Sequence, residues 1–147
     1  MPLWTFPFGS ALSVAALNGE AALNFFPDPA LIKRTFDLYL GPEIKNQDLY
    51  TLSGTVSNEE TQAAAWALTK GRFPEILAKV DASLGGGLAQ LAGSFCDAKL
   101  RDDAQEFFAA QNLPGAARLL QNAKDQVNDC IELRALQQAN LSVYLKK

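Results

Sequence analysis

The chain is expected to be all-α, and three observations point there. Apolar residues recur at three- and four-residue spacing through most of the 147 residues. No run alternates apolar and polar positions with β-branched enrichment, so a sheet has no support. Helix starts and stops succeed one another about every ten residues with short turns between them, the pattern of helix pairs that each hide one face only by packing on a neighbour. The expected architecture is a superhelix of antiparallel helix pairs, HEAT- or armadillo-like, ending in a long helical hairpin. A strict internal repeat is absent, which leaves a globular helical bundle as the fallback. A chain of this length with 48% apolar residues can bury a core as one domain spanning 1–147.

The elements follow in order. Residues 1–10, MPLWTFPFGS, read as an irregular lead-in or an imposed boundary, with Leu3, Trp4, Phe6 and Phe8 as an apolar rim that wants a partner. Ser10 to Phe26 reads as a helix carrying Leu12, Ala15, Ala16, Leu23 and Phe26, weakened by Asn18 and Gly19. Pro27-Asp28-Pro29 stops it and opens the next: Asp28 caps, Pro29 takes the first helical position, and Leu31, Ile32, Thr35, Phe36, Tyr39 and Leu40 line one side until Gly41. Asp48 is expected to cap a short helix with Leu49, Leu52 and Val56. Ser57 with Glu60 forms a capping-box pattern ahead of Ala63, Ala64, Trp66 and Ala67, and Gly71 ends that helix. Phe73-Pro74 opens a helix to about Ala82, with Phe73 and Leu77 as a hydrophobic staple. Ser83 to Ser94 is glycine-rich and is expected to hold one weak helical turn between loops.

The closing segment is the most regular. Asp97 is placed to cap a helix to about Gln111, and Pro114 to open one reaching roughly Gln138, with Leu120, Ala123, Val127, Cys130, Ile131 and Arg134 along one side. If the two run antiparallel about Leu113, Leu100 opposes Val127, Ala104 opposes Ala123 and Phe107 opposes Leu119. The same register sets Cys96 against Cys130, since Leu113 lies midway between them. A disulfide there would close a loop worth about 3 to 4 kcal/mol in the chain-entropy model. The competing reading is two buried free cysteines behaving as small hydrophobes, as in reducing compartments.

Charge and chemistry exclude more than they assign. Thirteen basic residues against sixteen acidic ones, scattered rather than gathered in a stripe, leave no footprint for nucleic acid. Ala11 to Phe26 is too short and too polar to cross a bilayer, and the amino terminus has no basic n-region ahead of an apolar core. With no histidine, Ser-His-Asp and Cys-His sites are excluded, as are His-ligated zinc sites. Gly85-Gly86-Gly87 lacks the spacing and the following lysine of a phosphate loop and reads as a flexible connector. Glu59-Glu60 and Asp102-Asp103 would be the carboxylate pairs for acid and base work. Both read as solvated helix starts, where the helix dipole favours negative charge. Trp66 with Phe73, and Phe107 with Phe108, read as core rather than as a ligand pocket. No catalytic, cofactor-binding or metal-binding residue is assigned, and a small enzyme acting through carboxylates alone has nothing positive behind it.

The succession DPALIKRTFDLYLGPEIKNQD, AAAWALTKGRFPEIL, SFCDAKLRDDAQEFFAAQ and AARLLQNAKDQVNDCIELRALQQANLSVYL resembles the carboxy-terminal helical domain of M1-family zinc aminopeptidases, relatives of aminopeptidase N and of the endoplasmic-reticulum aminopeptidases. The resemblance runs from about Phe25 to the end and rests on the order and spacing of the segments. It implies a non-catalytic part of a larger peptidase: a bowl of paired helices that covers an upstream catalytic domain of the same chain and walls the chamber for a peptide substrate on its concave face. It places the zinc, with its His-Glu-x-x-His helix, in that upstream domain. Relatives hold a peptide carboxylate with basic or tyrosine side chains, but those positions do not align to Lys33, Arg34, Arg72 or Arg134, so no substrate-binding residue is carried over. An extracytoplasmic parent, periplasmic or secreted, is expected if Cys96 and Cys130 are bonded, and a cytoplasmic one otherwise. The alternative is a stand-alone α-solenoid that binds a protein or peptide in its groove.

Overall fold

The computed structural model describes residues 23–80 and 85–146. The expected helix over 10–26 therefore lies outside the described residues except for its last four, where the chain turns at Asn24 and Phe25. The lead-in 1–10 lies outside as well. All regular structure among the described residues is helical: α1 (Pro29–Leu40), a 3-10 helix (Asn46–Leu52), α2 (Ser53–Ser57), α3 (Gln62–Gly71), α4 (Phe73–Lys79), a second 3-10 helix (Gly85–Ser94), α5 (Ala98–Ala110) and α6 (Ala116–Leu145).

Helix α1 forms as its sequence dictates. Asp28 Oδ1 accepts from the amides of Ala30 at 2.7 Å and Leu31 at 3.3 Å, and Pro29 costs nothing where no amide bond is required. Ile32, Thr35, Phe36 and Tyr39 are buried, one stripe at helical spacing. The carboxyl end of α1 is closed from outside: Lys79 of α4 donates to the carbonyls of Tyr39 at 2.7 Å and Gly41, placing a cation where the dipole is negative.

The core centres on Trp66 of α3, which is 2% exposed. Its ring meets Phe95 and Phe107 edge-on at 5.5 Å and Phe108 at 5.7 Å, and Phe73 closes the group at 5.1 Å from Phe107. A buried indole needs a partner for its N–H, and Asp103 of α5 accepts it. Lys70 donates to both oxygens of the same carboxylate at 2.9 and 2.6 Å. Asp103 is therefore not a solvated helix start, contrary to expectation; it ties α3 to α5. Lys70 first, and Trp66 second, hold its carboxyl below the usual range.

The closing hairpin has the expected register. Ala104, Ala123 and Val127 are buried along the α5–α6 seam, with Leu100, Phe107 and Leu119 half-buried beside them. Asp97 caps α5 through the amides of Lys99 and Leu100, each at 2.9 Å. The turn needs left-handed backbone at Asn112 (φ 50°) and Gly115 (φ 73°), which asparagine and glycine tolerate best. Pro114 stays in the turn, and α6 runs seven residues beyond the expected Gln138 to Leu145. Cys96 and Cys130 are joined by a disulfide with their Cα atoms 5.4 Å apart.

Other expectations are corrected. Ser57 does not cap a helix: its hydroxyl donates to Ser53 O at 2.9 Å and is hydrogen-bonded to the Ser94 hydroxyl at 3.0 Å. The chain breaks at Asn58, whose side chain accepts from the amide of Glu60 at 3.2 Å. Asp48 lies inside its 3-10 helix, which has no side-chain cap. Helix α4 ends at Lys79 rather than near Ala82. The glycine-rich stretch is not a flexible connector from Gly85 onward. It is a ten-residue 3-10 helix, packed along α6, with Gly85, Gly86, Ala89 and Ala92 buried. Small residues permit this approach, since a Cβ on Gly86 would run into the carbonyl oxygen of Pro114. Gly86→Ala is accordingly expected to lower stability by about 1 to 3 kcal/mol, while Gly87→Ala, which would meet nothing within 4 Å, should change it by less than about 0.5 kcal/mol; urea midpoints of the two variants check this.

A second expectation concerns acid. Because the folded-state carboxyl of Asp103 is depressed, its tie is fully present above the unfolded value of about 3.9 and is lost as pH falls through the lowered folded value. Asp103→Asn should cost about 1 kcal/mol at pH 7. The gap to the wild type should narrow as pH drops below about 4, which chemical denaturation across a pH series measures.

Candidate functional site

One concavity among the described residues is a cleft of about 490 Å³ between the two 3-10 helices. Leu49, Leu52 and Val56 form one wall, Leu88 and Leu91 the other, and Ile76 of α4 closes it from behind. The local sequence explains each side. In Asn46–Leu52 and the short α2 that continues it, Leu49, Leu52 and Val56 share one face and are buried. In Gly85–Ser94 the alanines turn to α6 while Leu88 and Leu91 remain half-buried toward the cleft.

The walls are held by buried polar side chains behind them. Gln62 donates its amide to the carbonyls of Val56 at 2.9 Å and Ser94 at 3.1 Å, bridging the two sides. Thr61 donates to Thr55 O, and Thr55 to Leu52 O at 2.6 Å. The shape is thus fixed by satisfied hydrogen bonds rather than by contacts that a ligand would have to supply.

Asn46, Ser53, Ser57, Gln90 and Ser94 supply the polar rim. Among the described residues neither a carboxylate nor a basic side chain lines the cleft. Such a surface has no group for proton transfer near neutral pH; it suits an uncharged apolar group, with amide and hydroxyl partners at the edge. Sequence reasoning missed this site. Its one signal was the pair Leu88 and Leu91 inside a stretch dismissed for its glycines.

The basic residues considered for a peptide carboxylate are mostly engaged elsewhere. Arg72 donates Nη2 to Glu75 at 2.7 Å and Nη1 to Asp37, while Lys33 reaches Asp37 at 2.8 Å. Lys33 and then Arg72 lower the Asp37 carboxyl, Arg72 lowers that of Glu75, and Glu75 foremost raises the Arg72 guanidinium. Arg134 pairs with Glu59 at 2.7 Å, and Arg34 is exposed on α1.

The carboxylate pairs do not converge on a reacting centre. Asp102 turns to Arg101 at 2.8 Å, which lowers its carboxyl, while Asp103 faces Trp66 and Lys70. Among the described residues no group of three or more Cys, Asp or Glu is placed to hold a metal ion, and the chain contains no histidine. The residues present therefore do not fit a peptidase zinc. No described helix is long and apolar enough to cross a membrane.

Neither a curated protein nor a solved structure matches the chain. Residues 17–129 match the family model of the ERAP1-like C-terminal domain, a span that covers α1 to α5 and the first half of α6. That match extends over most of the sequence, agrees with the helical structure and assigns the family: the chain belongs to the ERAP1-like C-terminal domains of M1 aminopeptidases.

Proposed function

We propose that the chain is a non-catalytic wall of a zinc aminopeptidase: it covers the upstream catalytic domain of the same polypeptide and forms part of the chamber that holds the peptide. The match over residues 17–129 carries this reading. In it, the helix pairs belong to a HEAT-like superhelix, and the zinc and its ligands belong to the catalytic domain. The cleft between the 3-10 helices takes an apolar side chain of the peptide, with the half-buried Leu88 and Leu91 as the contact surface. Its uncharged lining supports that choice, because an apolar side chain can enter without stranding a buried charge. The Cys96–Cys130 bond supports an extracytoplasmic parent.

The experiment uses the parent enzyme. Leu88→Asp puts a carboxylate into the cleft and should lower kcat/KM for peptides of about ten residues by roughly tenfold. Hydrolysis of an amino-acid amide, too short to reach beyond the catalytic domain, should be unchanged. Equal loss on both substrates would show a folding defect or a different role, and no loss on either would remove the cleft from substrate binding.

A further inference from the structure

We propose that the Cys96–Cys130 disulfide is a redox-sensitive lock on the open end of the α5–α6 hairpin, fixing the direction of the overhanging half of α6, and is not a general staple of the core.

The two ends of the hairpin are held very differently. At the turn end and along the middle, Ala104, Phe108, Ala116, Leu120, Ala123 and Val127 are all buried, and the 3-10 helix Gly85–Ser94 lies against α6. Beyond Val127 the packing thins, and Ile131 is the last apolar side chain packed against the core. Cys130 and Ile131 are half-buried, and every residue from Glu132 to Lys146 is exposed. Among the described residues that end is tied, besides the disulfide, by the packing of Ile131 and by a hydrogen bond from Arg101 to Asn128 at 2.6 Å. It is also tied by the Arg134–Glu59 pair, whose side chains are 47% and 73% exposed. An ion pair that open to water contributes little. The covalent bond is therefore the principal restraint where a helix of thirty residues leaves its support.

What that restraint aims is an apolar surface. Leu133, Leu136, Val143 and Tyr144 are 61 to 73% exposed, and their spacing places them along one side of the overhang. Opening the bond would leave the core intact while freeing the first turn of α5 and the distal half of α6. Both cysteines are half-buried rather than enclosed, so a small dithiol can reach them. One thiolate of the dithiol attacks a cystine sulfur and forms a mixed disulfide; its second thiol closes a disulfide within the reductant. Two electrons and two protons pass to Cys96 and Cys130, which end as thiols.

The test is hydrogen exchange of the full chain, oxidised and then reduced with dithiothreitol under native conditions, with alkylation and mass measurement confirming two free thiols. Exchange at residues 98–102 and 128–135 is expected to rise at least about tenfold more than at the amides of α3, and to return on reoxidation. A uniform rise that includes α3 would make the disulfide a global staple and overturn the proposal. So would unchanged exchange at the hairpin end, or a bond that resists the dithiol until denaturant is added. The Cys96→Ser, Cys130→Ser double variant should exchange like the reduced wild type. If it does not fold, the oxidised and reduced wild type still decide the matter.

Discussion

Trp66 is the largest fully buried side chain among the described residues, and its indole N–H sets a condition that neighbouring elements must meet. An unpartnered indole in that position would cost on the order of 1 to 3 kcal/mol. Asp103 meets the condition from α5, and Lys70 keeps Asp103 ionised from α3. Two helices distant in sequence are thereby held at a defined rotation, with three phenylalanines packed around the ring and Phe73 behind two of them. The position of α5 then sets the hairpin, and the hairpin sets the path of the 3-10 helix laid along α6. The cleft, bounded on one side by that 3-10 helix, depends on this sequence of contacts.

The cleft, in the proposed role, would select by shape. Among the described residues its walls are apolar and its polar lining is uncharged, so a charged group would find no partner there. The side chains that shape it, Gln62 and Thr61, stand behind the wall and use their hydrogen bonds on backbone carbonyls. A surface so preorganised loses little on binding. Arg72 and Arg134 are already paired, Arg72 linking α1 to the start of α4 through Asp37 and Glu75, and a peptide carboxylate would have to compete with Glu75, Asp37 and Glu59 for them.

Several elements were legible from residues alone. Asp28-Pro29 defined the start of α1, and the opposed pairs Leu100 with Val127 and Ala104 with Ala123 defined the register of the hairpin, because capping and helical periodicity are local properties that need no knowledge of the remaining chain. The errors share a cause. Ser57 and Glu60 form a capping-box pattern, yet Ser57 is drawn to Ser94 and the helix breaks at Asn58. Asp103 resembles any acidic residue in a first turn, yet a buried tryptophan from another helix claims it. Gly85 to Gly87 have the composition of a connector, yet α6 supplies a surface on which their lack of side chains is an advantage.

The sequence by itself determined the all-helical class, the family and the exclusion of histidine chemistry from this chain, since these follow from periodicity, from the order of segments and from which residue types are present. Only the tertiary structure decided which carboxylate was solvated and which was structural, where the glycine-rich stretch packed, and that two 3-10 helices enclose an apolar cleft. The physical reason is the range of the interactions. Caps and periodicity act within a few residues, whereas the partners of Trp66, Ser57, Gln62 and Gly86 are separated from them by about thirty positions, and such pairings exist only once the chain has closed on itself.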